Sequence, residues 1–318
     1  MRLATLKRGG RDGTLVAVSA DGLRVAKVPG WPTLQAALDE WDLAQPALQE
    51  AMVTCEQGEI IEPSDVAAPL PRAWQWLDGS AFPTHGELMQ RAFNLPPIET
   101  DKPLMYQGMS HRFIAATDDV PLPSEADGID FEGEFGVVTG DVPMGCMADE
   151  ALQHIRLIVL INDWSLRAIA PAEMKTGFGW VQAKPACSMA PFAVTPDELG
   201  EGWQDGRVCL PLTVEVNGQR FGNPNGEAMA YGFHQLIAHA ARSRSLPAGT
   251  IIGSGTVSNP NHASVGSTCI SERRAIEMIE HGAPRTPFLR FLDRVRMTVE
   301  GGPFGMINQV VTPNRNAA

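Results

Sequence analysis

The chain has 318 residues, 44% hydrophobic and 19% charged, which leaves room for about two domains and excludes a disordered or fibrous polymer. Its 37 acidic against 25 basic residues give a net charge of −12, a field that repels phosphate backbones and excludes a nonspecific nucleic-acid binder. The 31 glycines and 25 prolines, spread without period, favour turns and short strands over a helical bundle.

In chain order, the apolar runs over 15–18 and 23–26, separated by Gly and Asp, predict a hairpin. Leu34, Leu38, Trp41, Leu43 and Ala44 then recur near helical spacing over 32–55, with a break expected at Pro46. The proline-rich text around 60–71 places a domain boundary, giving a small N-terminal α/β domain over 1–66 and a larger domain over 67–318. Beyond it, strands are expected over 129–140, 208–216, 250–255 and 294–299, and helices over 149–161 and 231–241. No repeat and no low-complexity segment is visible. The five cysteines, Cys55, Cys146, Cys187, Cys209 and Cys269, lack C-x-x-C spacing, so neither a zinc site nor a disulfide framework is expected. The longest purely apolar core, over 157–161, is far short of the ~20 residues of a membrane helix. No membrane partner is expected, and a reducing, cytoplasmic setting is.

Three segments carry chemistry. In G-I-D-F-E-G-E-F-G, strand alternation puts Asp130, Glu132 and Glu134 on one face and Phe131, Phe135 and Val137 on the other. At ~3.3 Å per residue, Glu132 and Glu134 lie ~7 Å apart at Cα, within reach of one hard cation. A solvated acidic face is the plainer alternative. In N-D-W-S-L-R, Asp163 ends an apolar run and requires either a metal or Arg167 as partner, an ion pair closing a turn being the plainer outcome. In the third, Asp78 and His85 sit among Trp74, Trp76, Phe82 and small residues, where a lone histidine is more often structural than a base. No serine stands in a G-x-S-x-G elbow around Ser254. His111, His154, His234, His239, His262 and His281 show no metal-ligand spacing.

Together, D-F-E-G-E, N-D-W-S-x-R, Lys184 and G-S-G-T at 253–256 resemble the fumarylacetoacetate hydrolase family, bacterial members of similar length, from about residue 67 to the C-terminus and more weakly before it. The resemblance implies an α+β, mostly β fold: a mixed β-roll hydrolase domain behind a small N-terminal domain. It implies one Mg2+ or Ca2+ held by Asp78, Glu132, Glu134 and Asp163, and His85 as the base, oriented by Glu272. Arg167 and Lys184 are the catalytic cations and also contact substrate, with Tyr106 and Thr256. Ala168, Ala170 and Ala190 depart from residues common in relatives and bear on substrate identity. The activity implied is metal-dependent hydrolysis of a carbon–carbon bond in a 1,3-diketo acid, fumarylacetoacetate to fumarate and acetoacetate, as at the end of aromatic-compound breakdown. Hydrolysis of an acylpyruvate such as maleylpyruvate or fumarylpyruvate is the alternative, as is keto-acid hydration, decarboxylation or isomerisation. The nucleophile is water, and the expected assembly is a homodimer.

Overall fold

The structure, a computed structural model, describes residues 1–96 and 100–314. Arg2–Leu6 and Thr14–Val18 pair antiparallel with Leu3 opposite Ala17, and Thr14–Val18 pairs in turn with Arg24–Lys27, Val16 opposite Lys27. Gly22, at φ 76°, makes the turn that side-chain-bearing residues resist. Helices Leu34–Asp39 and Trp41–Thr54 lay Leu34, Leu38, Trp41 and Leu48 over Leu3 and Leu15. The break between these helices falls at Glu40, not at Pro46: the proline lies early in the second helix, where its missing N–H forfeits a single bond. This N-terminal segment does not stand apart. Leu3 pairs with Ala193, and the Ala193–Val194 strand joins Ile155–Asn162, so the hairpin extends the large central sheet.

The central sheet contains the principal departure from the sequence expectation. A helix is expected over 149–161, but helical turns end before Ile155, and Ile155–Asn162 is a strand buried at every residue save Arg156. Leu157, Val159 and Ile161 pack into one core and Ile158 and Leu160 into the other. An interior strand buried on both faces reads as an unbroken apolar run, in which helix and strand periods are not separable, and the β-branched residues tip the balance to strand. The helix expected over 231–241 forms as Phe233–Ala240.

Five neighbouring strands then carry the chemistry: Ile155–Asn162, Gly133–Thr139, Ile251–Gly253, Trp76–Gly79 and Met105–Gly108. Their register sets Glu134 opposite Ile161, Gly253 opposite both Gly136 and Asp78, and Asp78 opposite Tyr106. Gly253 is required by this closeness, because a Cβ there would lie 2.3 Å from Asp78 Oδ1 and 2.3 Å from the Trp76 ring. A second sheet, with Leu212–Val216, Arg294–Val299 and Ile307–Pro313 at its centre, closes the main core over Phe135 and Phe304. Helices Pro83–Phe93 and Ile270–His281 pack on each other through Leu88, Ala275 and Ile276.

The strand expected over 129–140 is interrupted. Ile129–Asp130 pairs with Ser165–Leu166, pairing resumes at Gly133, and Glu132 bridges to Cys269 between them. Asp130, Glu132 and Glu134 therefore do not share one regular face, and each meets different partners.

Candidate active site

Asp78, Glu134 and Asp163 each offer a carboxylate oxygen within 4.8 Å of the other two, and all three residues are buried. Among the described residues, no N–H or O–H group donates to either oxygen of Glu134, whose polar neighbour is the Asp78 carboxyl. Asp78 Oδ1 accepts a long bond from the Gly255 N–H at 3.2 Å. Burial, and then the neighbouring Asp163 carboxylate, push Asp78 up to about 8; burial and the charges of Asp78 and Asp163 raise Glu134 well above the usual carboxylate range. Three buried acids crowded in this way, one of them without a donor, are the expected state of an oxygen-ligand cation site considered without its ion. The residues thus fit a divalent metal.

Glu132, the fourth expected ligand, stands beside this cluster in a different environment. Its carboxylate accepts from Arg167 Nη2 at 2.6 Å, Thr256 Oγ1 at 2.9 Å and Ser165 Oγ at 3.1 Å, and from Lys184 Nζ. Although burial opposes it, the charges of Arg167 and Lys184 hold Glu132 well below its ordinary range. Lys184 bridges to the cluster, since its Nζ also donates to Asp163 Oδ2 at 2.5 Å. Tyr106 Oη donates to that oxygen at 2.7 Å, and the Cys187 thiol donates to Asp163 Oδ1 at 2.9 Å. Burial and the same carboxylates raise the Tyr106 phenol and the Cys187 thiol well above their usual values, so both stay protonated donors.

His85 lies in the first turn of Pro83–Phe93, and its Nδ1 is 3.0 Å from Oε2 of the buried Glu272, in the first turn of Ile270–His281. With Nδ1–H donated to the carboxylate, Nε2 is left as the acceptor, the tautomer a base requires. Cys269 Sγ caps the Glu272 helix by accepting from the Glu272 N–H at 3.3 Å. Asp130 secures the same turn: it accepts from the N–H groups of Ile270 at 2.7 Å and Ser271 at 2.9 Å, and from Arg167 Nε at 2.8 Å. The structure thus joins the Glu272 helix to the cations beside Glu132.

The residues expected from sequence, Asp78, His85, Tyr106, Glu132, Glu134, Asp163, Arg167, Lys184, Thr256 and Glu272, belong to two linked groups, the carboxylate cluster with its cations and the His85–Glu272 pair. Sequence reasoning missed Cys187 and the part played by Asp130. Nothing in K-P-A-C marks a thiol aimed at Asp163. The anchoring of a helix by Asp130, 140 residues away, depends on the break at Glu132.

The fold and site define a mixed-sheet core with buried carboxylates that fit a divalent cation. Family models agree: the description "Fumarylacetoacetate (FAA) hydrolase C-terminal" matches residues 75–312 and "Fumarylacetoacetase N-terminal domain 2" matches residues 1–72. The chain belongs to the fumarylacetoacetate hydrolase family. Among curated relatives, a 2,4-didehydro-3-deoxy-L-rhamnonate hydrolase from Sphingomonas sp. (strain SKA58) is 32% identical over 163 residues, 50% of this chain and 54% of that protein. The chain spans about half the length of the curated relatives it matches. Likeness of fold extends over nearly whole chains. Maleylpyruvate hydrolase from Sphingobium sp. SYK-6, solved with manganese (II) and pyruvate, superposes with a TM-score of 0.68 at 16% identity, covering 99% of this chain and 100% of that one. A 5-carboxymethyl-2-hydroxymuconate delta-isomerase from Mycobacterium smegmatis gives 0.60 at 19% identity, covering 98% and 99%. Among the described residues, no helix is long and apolar enough to cross a membrane.

Proposed function

We propose that the protein hydrolyses a carbon–carbon bond in a 1,3-diketo acid, fumarylacetoacetate being the first candidate and an acylpyruvate such as maleylpyruvate or fumarylpyruvate its rival. The observation that carries the reading is the buried Glu134 carboxyl, which receives no N–H or O–H donor among the described residues, in a carboxylate cluster joined to a His–Glu pair through Asp130 and Arg167. Asp78, Glu134 and Asp163, with Glu132 beside them, would hold Mg2+ or Ca2+; manganese, present in the maleylpyruvate hydrolase structure, suits the same oxygens. When bound, such an ion supplies electrophilic stabilisation of the enolate that leaves when the bond breaks.

The protein's own groups do the rest. His85 Nε2 takes a proton from water as its oxygen attacks the carbonyl carbon, and the adjacent Glu272 carboxylate stabilises the imidazolium formed. When the carbon–carbon bond breaks, its electron pair stays on the departing carbon and the imidazolium proton neutralises it, so His85 ends each cycle as it began. Arg167 and Lys184 neutralise substrate carboxylate or developing oxyanion, which lets them exchange part of their pairing with Glu132 for pairing with substrate. The Tyr106 hydroxyl, held protonated by burial, donates beside them.

The acylpyruvate reading is supported by the full-length likeness to maleylpyruvate hydrolase, and isomerisation by the likeness to the delta-isomerase. The test is product analysis on chelator-treated protein, with and without added magnesium, for fumarylacetoacetate, maleylpyruvate, fumarylpyruvate and oxaloacetate. Appearance of two acid fragments from one of the first three identifies the substrate. Conversion without fragmentation, or none at all, would discard hydrolysis.

A further inference from the structure

We infer that Trp180 is a substrate-contacting residue, its ring forming one wall of the site and its indole N–H donating to an oxygen of a carboxylate-bearing ligand. The inference rests on the reading of this site as one for an organic acid. The Trp180 ring stands perpendicular to that of Tyr106 with centroids 4.6 Å apart, and Lys184 Nζ lies 5.9 Å from its centre. It therefore adjoins the two side chains that donate to Asp163 Oδ2. Trp180 Nε1 is buried and has no hydrogen-bond partner among the described residues, which is unusual for an indole.

Its placement is built by the loop rather than by core packing. Met174, Phe178 and Val181 in the same segment face solvent, Phe178 at 97% exposure, while Trp180 alone among these large side chains is turned inward. Gly179, at φ 93°, supplies the left-handed backbone just before it. Immediately after it, the Glu173 carboxylate accepts from three successive N–H groups, Val181 at 3.2 Å, Gln182 at 2.9 Å and Ala183 at 3.0 Å. The Ala183 carbonyl then accepts from the Leu166 N–H at 2.8 Å, tying the segment to the strand before Arg167. A loop clamped this firmly, holding one aromatic residue inward with its donor unpaired beside a lysine and a tyrosine, is organised to receive a polar group from outside the chain.

The experiment is calorimetric titration of oxalate, and separately of pyruvate, into the magnesium-saturated protein and its variants. Trp180→Phe keeps the wall and removes the donor, and is expected to weaken binding of at least one of the two anions about tenfold, an ordinary worth for a hydrogen bond to a charged group. Glu173→Ala, which touches no ligand, is expected to weaken binding similarly by releasing the loop, with magnesium affinity unchanged in both variants. Oxalate and pyruvate affinities within twofold of wild type in Trp180→Phe would overturn the inference, as would failure of the wild type to bind either anion. Weaker anion binding by Trp180→Phe in a protein that cleaves no diketo acid would support this inference and remove the hydrolase reading. Cleavage with unchanged anion affinity would remove this inference alone.

Discussion

Glu134 and Glu132 are two residues apart in the chain and have opposite electrostatic fates. Glu132 accepts from four side chains and is held ionised by Arg167 and Lys184; Glu134 has no donor among the described residues, and burial with the charges of Asp78 and Asp163 forces it toward the neutral form. Replacing Glu134 with Gln should therefore weaken divalent-cation binding at least about a hundredfold in a calorimetric titration, since a hard ion loses its least committed anionic ligand. Wild-type affinity in that variant would exclude Glu134 from the ligand set. His85→Asn should lower turnover by roughly 10²–10⁴-fold, the usual share of a general base, while cation affinity stays within twofold of wild type. Unchanged turnover would remove His85 from the chemistry. At this scale, His85 as a base and Lys184 came from the family resemblance, while residue types and spacings made the acids and Arg167 legible. Which carboxylate is paired and which orphaned was not, because that depends on where Lys184, Thr256 and Ser165 arrive from distant segments.

Elements determine how closely these groups can approach. The Ile251–Gly253 strand lies parallel to Trp76–Gly79 and antiparallel to Gly133–Thr139, with glycines at the crossing point. Gly253→Ala would drive a methyl group to within 2.3 Å of Asp78 Oδ1. The strain should cost roughly 1–3 kcal/mol in urea unfolding and weaken cation binding by displacing Asp78. A variant as stable as wild type, with unaltered cation affinity, would show that this approach is not demanding. Element type was legible where turn residues bounded a short apolar run, as in Thr14–Val18, or helical spacing was clean, as in Phe233–Ala240. It failed for Ile155–Asn162, whose two buried faces erase the periodic signal, and at Glu132, where the strand breaks without a glycine or proline at the break itself. That break allows Asp130 to turn to the N-terminus of Ile270–His281, so a misplaced strand boundary concealed a connection within the site.

Over the whole molecule, an acidic surplus that composition assigns to the surface includes several buried carboxylates. Two of them make metal-free stability depend on pH with a definite sign. Asp78 is raised to about 8 and Glu134 is raised too, so between about pH 4 and pH 8 the folded chain binds more protons at these positions than the unfolded chain. Stability contributed there falls as pH rises through that window. Glu134→Gln removes one raised group, so in chelator its melting temperature should exceed that of wild type by a margin that widens from pH 5 to pH 8. A constant or narrowing margin would contradict the electrostatic account of the cluster. The central sheet, which runs from the N-terminal hairpin to the Tyr106 strand, was legible only in part, because strand order depends on pairings far apart in sequence such as Leu3 with Ala193.

The most direct test of the claim that a carboxylate-held cation and His85 cleave a diketo acid is a metal-restoration assay on the enol absorbance of fumarylacetoacetate and of maleylpyruvate. Chelator-treated wild type should be inactive and regain bleaching of at least one substrate when Mg2+ or Mn2+ is added, while at the metal concentration that half-saturates wild type Glu134→Gln and His85→Asn recover no more than about a few per cent of that rate. Full activity in chelator, or restored activity in Glu134→Gln, would contradict it.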